Sequence, residues 1–416
     1  MDSSERTELR AEQAEGTQMR ADPERTQMRA DPERTQMRAD QLHLLSQTGP
    51  ESLMGQLLRR FWQPVARSET VPRGQARPLR VMSEDLTLFR GDSGTLYLVG
   101  GRCAHRCTVL HTGWVEGEQI RCMYHGWRYD GHGVCTDIPA EKRPRADPVH
   151  IVAYPVREYH GLVFAYLGPA PAPEFDLPRK HAVERPGQYV FNREQVWDCN
   201  WFQQVENSLD AVHVSFVHVW GRMSRFGEEL STAIPELSYT ETDSGIRQVA
   251  TRSRYNVRVS DWTFPNNNHV VQPGPRKGDP WIHIHVWAVP IDDHSTLRFN
   301  INCFPSVGPE EDARIAEDAE KDFNPMDHFD TVFGEHRIPD VGASQVLMTQ
   351  DYAAVRGQGR VADRAHEHLS ASDAGIVFLR RIVFRELELI RQGLPNKQWT
   401  RLAHEAELPR PIPQRA

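Results

Sequence analysis

Two short ligand pairs, Cys103-x-His105 and Cys122-x-x-His125, lie within the stretch from Gly101 to Cys135, separated by a segment with turn residues at Gly113 and Gly117. They constrain the fold more than any other feature, because loops that hold a metal centre need a rigid sheet beneath them. Two thiolates and two imidazoles suit a soft, redox-active or zinc centre. A [2Fe–2S] cluster in which two histidines replace two cysteines on one iron needs this ligand set. Each loop would give its cysteine to one iron and its histidine to the other. The alternative is a structural Cys2His2 zinc site. Spacing opposes it, since zinc sites usually pair like with like and both pairs here are mixed.

Arg106, Gly126, Trp127, Gly133 and Cys135 flank the four ligands. On these residues the stretch resembles the Rieske motif of Rieske oxygenase α subunits. The resemblance implies a Rieske [2Fe–2S] cluster held by Cys103, His105, Cys122 and His125. Cys107 follows His105 by two residues, but Tyr124 stands where a second loop cysteine would be needed to pair with it. The disulfide that braces respiratory Rieske proteins is therefore not expected.

At 416 residues the chain has room for two or three domains. A formal net charge of −8 and a pI near 6.2 give no electrostatic footprint for nucleic acid or an anionic membrane. The start, Met1-Asp-Ser-Ser-Glu5, lacks the basic and apolar regions of a secretory signal. No apolar run approaches the roughly 20 residues that span a bilayer. With two of six cysteines assigned to the cluster, Cys107, Cys135, Cys199 and Cys303 are too scattered for a disulfide framework, and a cytoplasmic setting is expected.

The chain is expected to divide into a repeat tail over 1–44, a helix and Rieske domain over 45–170, a catalytic domain over 171–395 and an extension over 396–416. Residues 1–40 carry a nine-residue repeat, TQMRADPER, starting at Thr17, Thr26 and Thr35. With prolines and almost no apolar residue except Met, it cannot offset its ordering entropy, and a disordered, dispensable tail is expected. Pro50 suits the first turn of a helix carrying Leu53, Leu57, Leu58 and Phe61, with Pro64 ending it. Hairpins are predicted from Leu86–Arg90 with Thr95–Val99, and from Tyr154–Glu158 with Leu162–Leu167. The Pro-rich run from Gly168 reads as a connector.

Beyond it, residues 198–220 read as a helix with Trp201, Val205, Leu209, Val212 and Phe216 on an apolar stripe. Strands are predicted at Arg247–Val259, Trp281–Ile291 and Thr296–Phe304, and a helix at Asp373–Arg391 with Ser372 as N-cap. The expected fold class is α+β. An all-β N-terminal domain precedes a helix-grip domain, in which a curved antiparallel sheet wraps a long C-terminal helix.

The predicted helix holds a second constellation: Asn207, Asp210, His213 and His218. His213 and His218 are five residues apart, about 140° around a regular helix. They share a metal only if the helix ends or distorts; otherwise they are two partly buried histidines on an amphipathic helix. Downstream of a Rieske domain, Asn-x-x-Asp-x-x-His-x4-His resembles the mononuclear iron site of Rieske non-haem oxygenases. That resemblance implies Fe(II) held by His213, His218 and a later carboxylate. Asp351 matches the family position best, with Asp363 read as a loop residue and Asp373 as a helix first-turn residue. His366 and His368 form a His-x-His pair expected to face solvent. Asp210 is carried over as the carboxylate that orients His213 and links it to the Rieske centre of a neighbouring subunit in a homotrimer.

A cluster that carries one electron at a time beside an iron that activates O2 makes a feed line and a reaction centre. Gly357-Gln-Gly359-Arg-Val-Ala362 fits G-x-G-x-x-A but lies in no strand–turn–helix unit. A separate NAD(P)H-dependent reductase is therefore implied. The opening Gly49-Pro50 to Trp62 and the late Gln358-Gly359 to Ser372-Asp373 resemble the phthalate dioxygenase-like branch. That implies hydroxylation of a small, carboxylated or phenolic aromatic substrate. O-demethylation or aryl-ether cleavage with the same metals is one alternative, and a non-catalytic electron-transfer or zinc-binding protein is another. An aromatic acid needs an apolar slot and a cation. Arg252, Arg254 and Arg258 are read as sharing one strand face, with Arg254 preferred, and Asn207, Phe264-Pro265-Asn266 and Trp287 as slot residues.

Overall fold

The computed structural model describes residues 18–20, 41–142, 147–175, 181–218, 233–253, 256–276, 278–320, 323–335, 337 and 343–399. Three small antiparallel sheets occupy the N-terminal half. One joins Ala76–Val81, Glu84–Arg90, Leu96–Gly100 and Ala153–Tyr154; a second joins Gln63–Arg67, Leu162–Ala165 and Val156–Tyr159. The third is built from Trp114–Glu116, Gln119–Arg121, Arg128–Asp130 and Cys135–Asp137. The stretch read as one strand from Tyr154 to Glu158 is thus divided at Pro155 between two sheets, because proline offers no N–H to continue a ladder. Pro64 does not end the first helix but lies in an edge strand; the helix, Leu53–Arg59, starts on Ser52, whose side chain accepts from the Gly55 N–H.

The other half is one eight-stranded antiparallel sheet. Five strands from Glu236–Glu241 to Ile282–Asp292 run in sequence order, then Ser295–Pro305 and finally Gln188–Trp197. The predicted strand over 247–259 is a hairpin, Gly245–Ser253 with Asn256–Thr263, so Arg252 and Arg258 stand on different strands and Arg254 lies outside the described residues. Against the expectation of a structureless tail, Gln18–Arg20 adds an edge strand beside Glu236–Glu241. The helix Ala374–Arg391 buries Phe378, Leu379, Ile382, Val383, Leu387 and Ile390 in the main core. Its entry is a short turn, Ala371–Asp373, capped by Ser370 rather than Ser372; the Asp373 carboxylate accepts from the Ser370 N–H. Among the described residues, no helix is long and apolar enough to cross a membrane.

Candidate metal centres

The two N-terminal ligand loops have the same backbone frame. In each, the cysteine carbonyl accepts from the N–H four residues on, Cys107 in one loop (2.9 Å) and Gly126 in the other (3.1 Å). Each of these two residues has positive φ, 58° and 74°. Gly126 takes that conformation without steric cost, and Cys107 occupies the equivalent corner as an exposed free thiol. Both ligand cysteines are buried, while His105 and His125 are exposed at the loop tips with ring centroids 4.4 Å apart. Trp127 stacks on His105 at 4.8 Å. The Tyr129 hydroxyl lies 3.2 Å from Cys103 Sγ and accepts the Ala104 N–H at 3.1 Å. Burial pushes the Cys122 thiol up, and the neighbouring Cys103 adds to it; a bound metal would reverse this by stabilising the thiolates.

Among the described residues, only His213, His218 and Asp351 bring ligand atoms within 4.8 Å of one another. No three of Cys103, His105, Cys122 and His125 do so, which fits ligands spread over two irons better than ligands converging on one zinc ion.

The second centre depends on a helix that stops early. Trp201–Leu209 begins at Asn200, whose side chain accepts the Phe202 N–H and donates to the carbonyls of Ser46 and Asp293. It ends because the Leu209 carbonyl accepts from Gln248 Nε2 at 2.6 Å and from the Tyr239 hydroxyl at 3.2 Å. Asp210 turns extended, and its Oδ1 accepts from the N–H groups of Val212 and His213, opening a separate turn over His213–Ser215. The predicted 198–220 helix is therefore two pieces, and Phe216 from its supposed apolar stripe is exposed.

Freed from helical phase, His213 and His218 meet Asp351 of the helix Ala343–Gly357. Asp351 Oδ1 lies 3.5 Å from His213 Nε2 and 3.3 Å from His218 Nε2. Burial pushes the Asp351 carboxyl up, but His218, His213 and Arg298 outweigh it and hold it down at about 2. Burial lowers His213. A carboxylate beside a neutral imidazole is the protonation state that metal ligation needs. Two imidazoles and one carboxylate on one side of an open cavity suit Fe(II) with free coordination positions. Asp210 Oδ2 is 3.8 Å from His213 Nδ1, too far for a hydrogen bond, so it holds His213 here through the backbone. Gln350 was missed by sequence reasoning: its Oε1 lies 3.2 Å from His218 Nδ1, which leaves Nε2 facing Asp351. Only its place beside Asp351 hinted at this.

Asp363 is exposed and pairs with exposed His366, and Asp373 is occupied in its capping turn. A cavity of about 150 Å³ opens on the metal site and is lined by Asn207, Asp210 and Asn266, along with Arg193, Arg258 and Arg298. Trp287 is not part of this lining. It points to the opposite face of the sheet, packed edge-on against Phe164, because alternation along its strand sends Val286 and Ala288 inward instead. Phe264 is likewise committed to packing, stacked on Trp399.

Residues 61–160 match the Rieske [2Fe-2S] domain model. The chain is 33% identical over 362 residues to the 5,5'-dehydrodivanillate O-demethylase oxygenase subunit of Sphingobium sp. (strain NBRC 103272 / SYK-6), covering 84% of this chain and 80% of the relative. It is 32% identical to phenoxybenzoate dioxygenase subunit alpha of Ectopseudomonas oleovorans, over 84% and 85%. The fold is similar to that of the reduced complex between oxygenase and ferredoxin in carbazole 1,9a-dioxygenase, with a TM-score of 0.58 at 20% identity, covering 89% of this chain and 99% of that one. A [2Fe–2S] cluster and an oxygenase activity follow, and a non-catalytic electron carrier or zinc protein does not. The chain belongs to the Rieske non-haem iron oxygenases, among the oxygenase subunits that hydroxylate or demethylate aromatic compounds.

Proposed function

We propose that this chain is the terminal oxygenase that hydroxylates a carboxylated aromatic compound, with His213, His218 and Asp351 holding Fe(II). The observation that carries the reading is the convergence of those three side chains beside a cavity large enough for a small ring. Cys103, His105, Cys122 and His125 would hold the cluster. When bound, the cluster supplies single electrons and the iron supplies the site of dioxygen reduction. The chain's own part is to orient and to exclude water. Gln350 fixes the tautomer of His218, Asp210 anchors the turn that carries His213, and the sheet encloses the substrate.

His105 and His125 stand exposed, as electron entry from another protein requires. A separate NAD(P)H-dependent reductase, directly or through a ferredoxin like the one bound by the structurally similar oxygenase, is the source in this reading. A homotrimer in the cytoplasm, with Asp210 linking the centres of neighbouring subunits, completes it. Oxidative removal of a methyl group from an aryl ether is the second reading, favoured by the relative that is an O-demethylase oxygenase subunit. The test is NADH-driven turnover of an aromatic-acid and aryl-ether panel with a surrogate reductase, read by product mass. Hydroxylated acids support the proposal, demethylated products select the second reading, and no oxygenated product refutes both.

A further inference from the structure

The cavity wall next to the metal site carries two like charges that nothing nearby accounts for. Arg193 lies on Gln188–Trp197 and Arg298 on the neighbouring strand Ser295–Pro305, where Arg193 faces Asn300 and Gln195 faces Arg298. The two arginines are thus diagonal neighbours on the cavity face. Both reach the same atom: Met348 Sδ lies 3.5 Å from Arg193 Nη1 and 4.0 Å from Arg298 Nη1. Met348 sits three residues before Asp351 on one helix, so the meeting point is less than one turn from the metal site. A thioether is only a weak acceptor and cannot neutralise two guanidinium groups.

Arg298 packs over the Trp197 ring at 5.3 Å, and among the described residues no carboxylate lies within ion-pair distance of it. Burial pulls its guanidinium down to about 10, Asp351 opposes this, and Arg193 adds to it. Bringing two cations together in a partly buried wall is unfavourable unless an anion joins them. The surrounding lining also expects polar company. Gln204 Nε2 and Oε1, Asn268 Oδ1, Asn300 Oδ1 and Trp262 Nε1 are buried without a hydrogen-bond partner, and all four residues line the cavity.

We infer that Arg193 and Arg298 form a clamp for the carboxylate of the substrate, which sets the ring beside His213, His218 and Asp351. Guanidinium groups suit the task, since each presents a planar fork that matches a carboxylate. The clamp replaces Arg254 as the cation expected from sequence, and it rests on reading the cavity as the substrate chamber proposed above. It makes specificity depend on charge at one end of the ring, with the amides left to read oxygen substituents on the rest.

The experiment uses the full-length holoenzyme with both centres loaded, and two probes of equal size, benzoate and benzamide, titrated by calorimetry. The expected result is benzoate binding at least tenfold tighter than benzamide. Arg298→Gln raises the benzoate Kd at least tenfold and leaves benzamide binding and iron content unchanged. Arg298→Lys, which keeps the charge without the fork, falls between the two. Should Arg298→Gln fail to fold, Arg193→Gln gives the same reading. Equal binding of the two probes, binding of neither, or a benzoate Kd within twofold of wild type in the folded variants overturns the clamp. The two proposals fail separately. Tight benzoate binding with no oxygenated product from the panel upholds the clamp and refutes the proposed activity. Turnover of neutral aryl ethers with no preference for benzoate does the reverse.

Discussion

The two metal centres are built in opposite ways. The cluster loops draw four ligands from a span of 23 residues, Cys103 to His125, and present two of them to solvent. The mononuclear site draws three ligands from a span of 139 residues, His213 to Asp351, and faces an enclosed cavity. A centre that exchanges electrons with a partner protein gains from exposure. One that handles dioxygen and an organic ring gains from dry walls and from ligands fixed by distant parts of the fold. Local loops suit the first task, and tertiary structure is needed for the second.

If the centres are that independent, each can be removed without the other. Asp351→Ala is expected to abolish turnover and lower iron per chain by about a third while acid-labile sulfide stays unchanged. Cys122→Ser should abolish turnover with the converse loss, sulfide and visible absorption disappearing while the mononuclear iron remains. Metal and sulfide analysis reads both, and joint loss in either variant breaks the comparison. Asp210→Asn should keep both metals and slow product formation on the order of 100-fold; near-normal turnover sinks its linking role. For Gln350→Leu, iron should bind roughly 10- to 100-fold more weakly in a chelator competition, with the cluster spectrum unaltered.

The next effect concerns stability. Glu206 is buried between Arg364 and Arg380, and Arg380 also pairs with Glu367. Burial pushes the Glu206 carboxyl up, but the two arginines outweigh it and hold it below the ordinary range. Glu206→Ala strands two buried cations and should cost about 3–5 kcal/mol in urea unfolding. With a depressed folded pKa, the stabilising contribution is complete above the unfolded value of about 4.3 and is lost as pH falls through the folded value. The variant should lose that part of the acid dependence. The smallest effect is expected at the competing carboxylate: Asp363→Asn should change stability by less than about 0.5 kcal/mol and leave iron content untouched.

The cluster was readable because spacing, turn residues and ligands fall in one window. The second centre was readable only in part. His213, His218 and Asp351 could be named from resemblance, but their spacing argued against a shared metal as long as residues 198–220 were taken for a single helix. What ends that helix is Gln248 and Tyr239, both contributed by the sheet, and no local signal at Asp210 announces them. The same limit explains the substrate residues. Alternation along a strand tells which residues share a face, but not which face meets the cavity, so Trp287 was placed on the wrong side. Reading 247–259 as one strand, with the turn after Ser253 unrecognised, put Arg252 and Arg258 on a common face. Arg193 and Arg298 carry no sequence signature, since their pairing arises from strands about 100 residues apart.

Because the helix closes at Leu209, the step from His213 to His218 is measured along a loop. What matters there is contour length, since the chain has only to let two imidazoles reach one point. Val214 and Val217, poor helix formers, sit in this stretch at no cost to the geometry. Changes of helix propensity over 214–217 should therefore be absorbed. A deletion of one residue shortens the reach by up to about 3.5 Å, more than a metal–nitrogen bond of about 2 Å can stretch to cover. The spacing in this motif is a tether of set length, indifferent to rotation and intolerant of shortening.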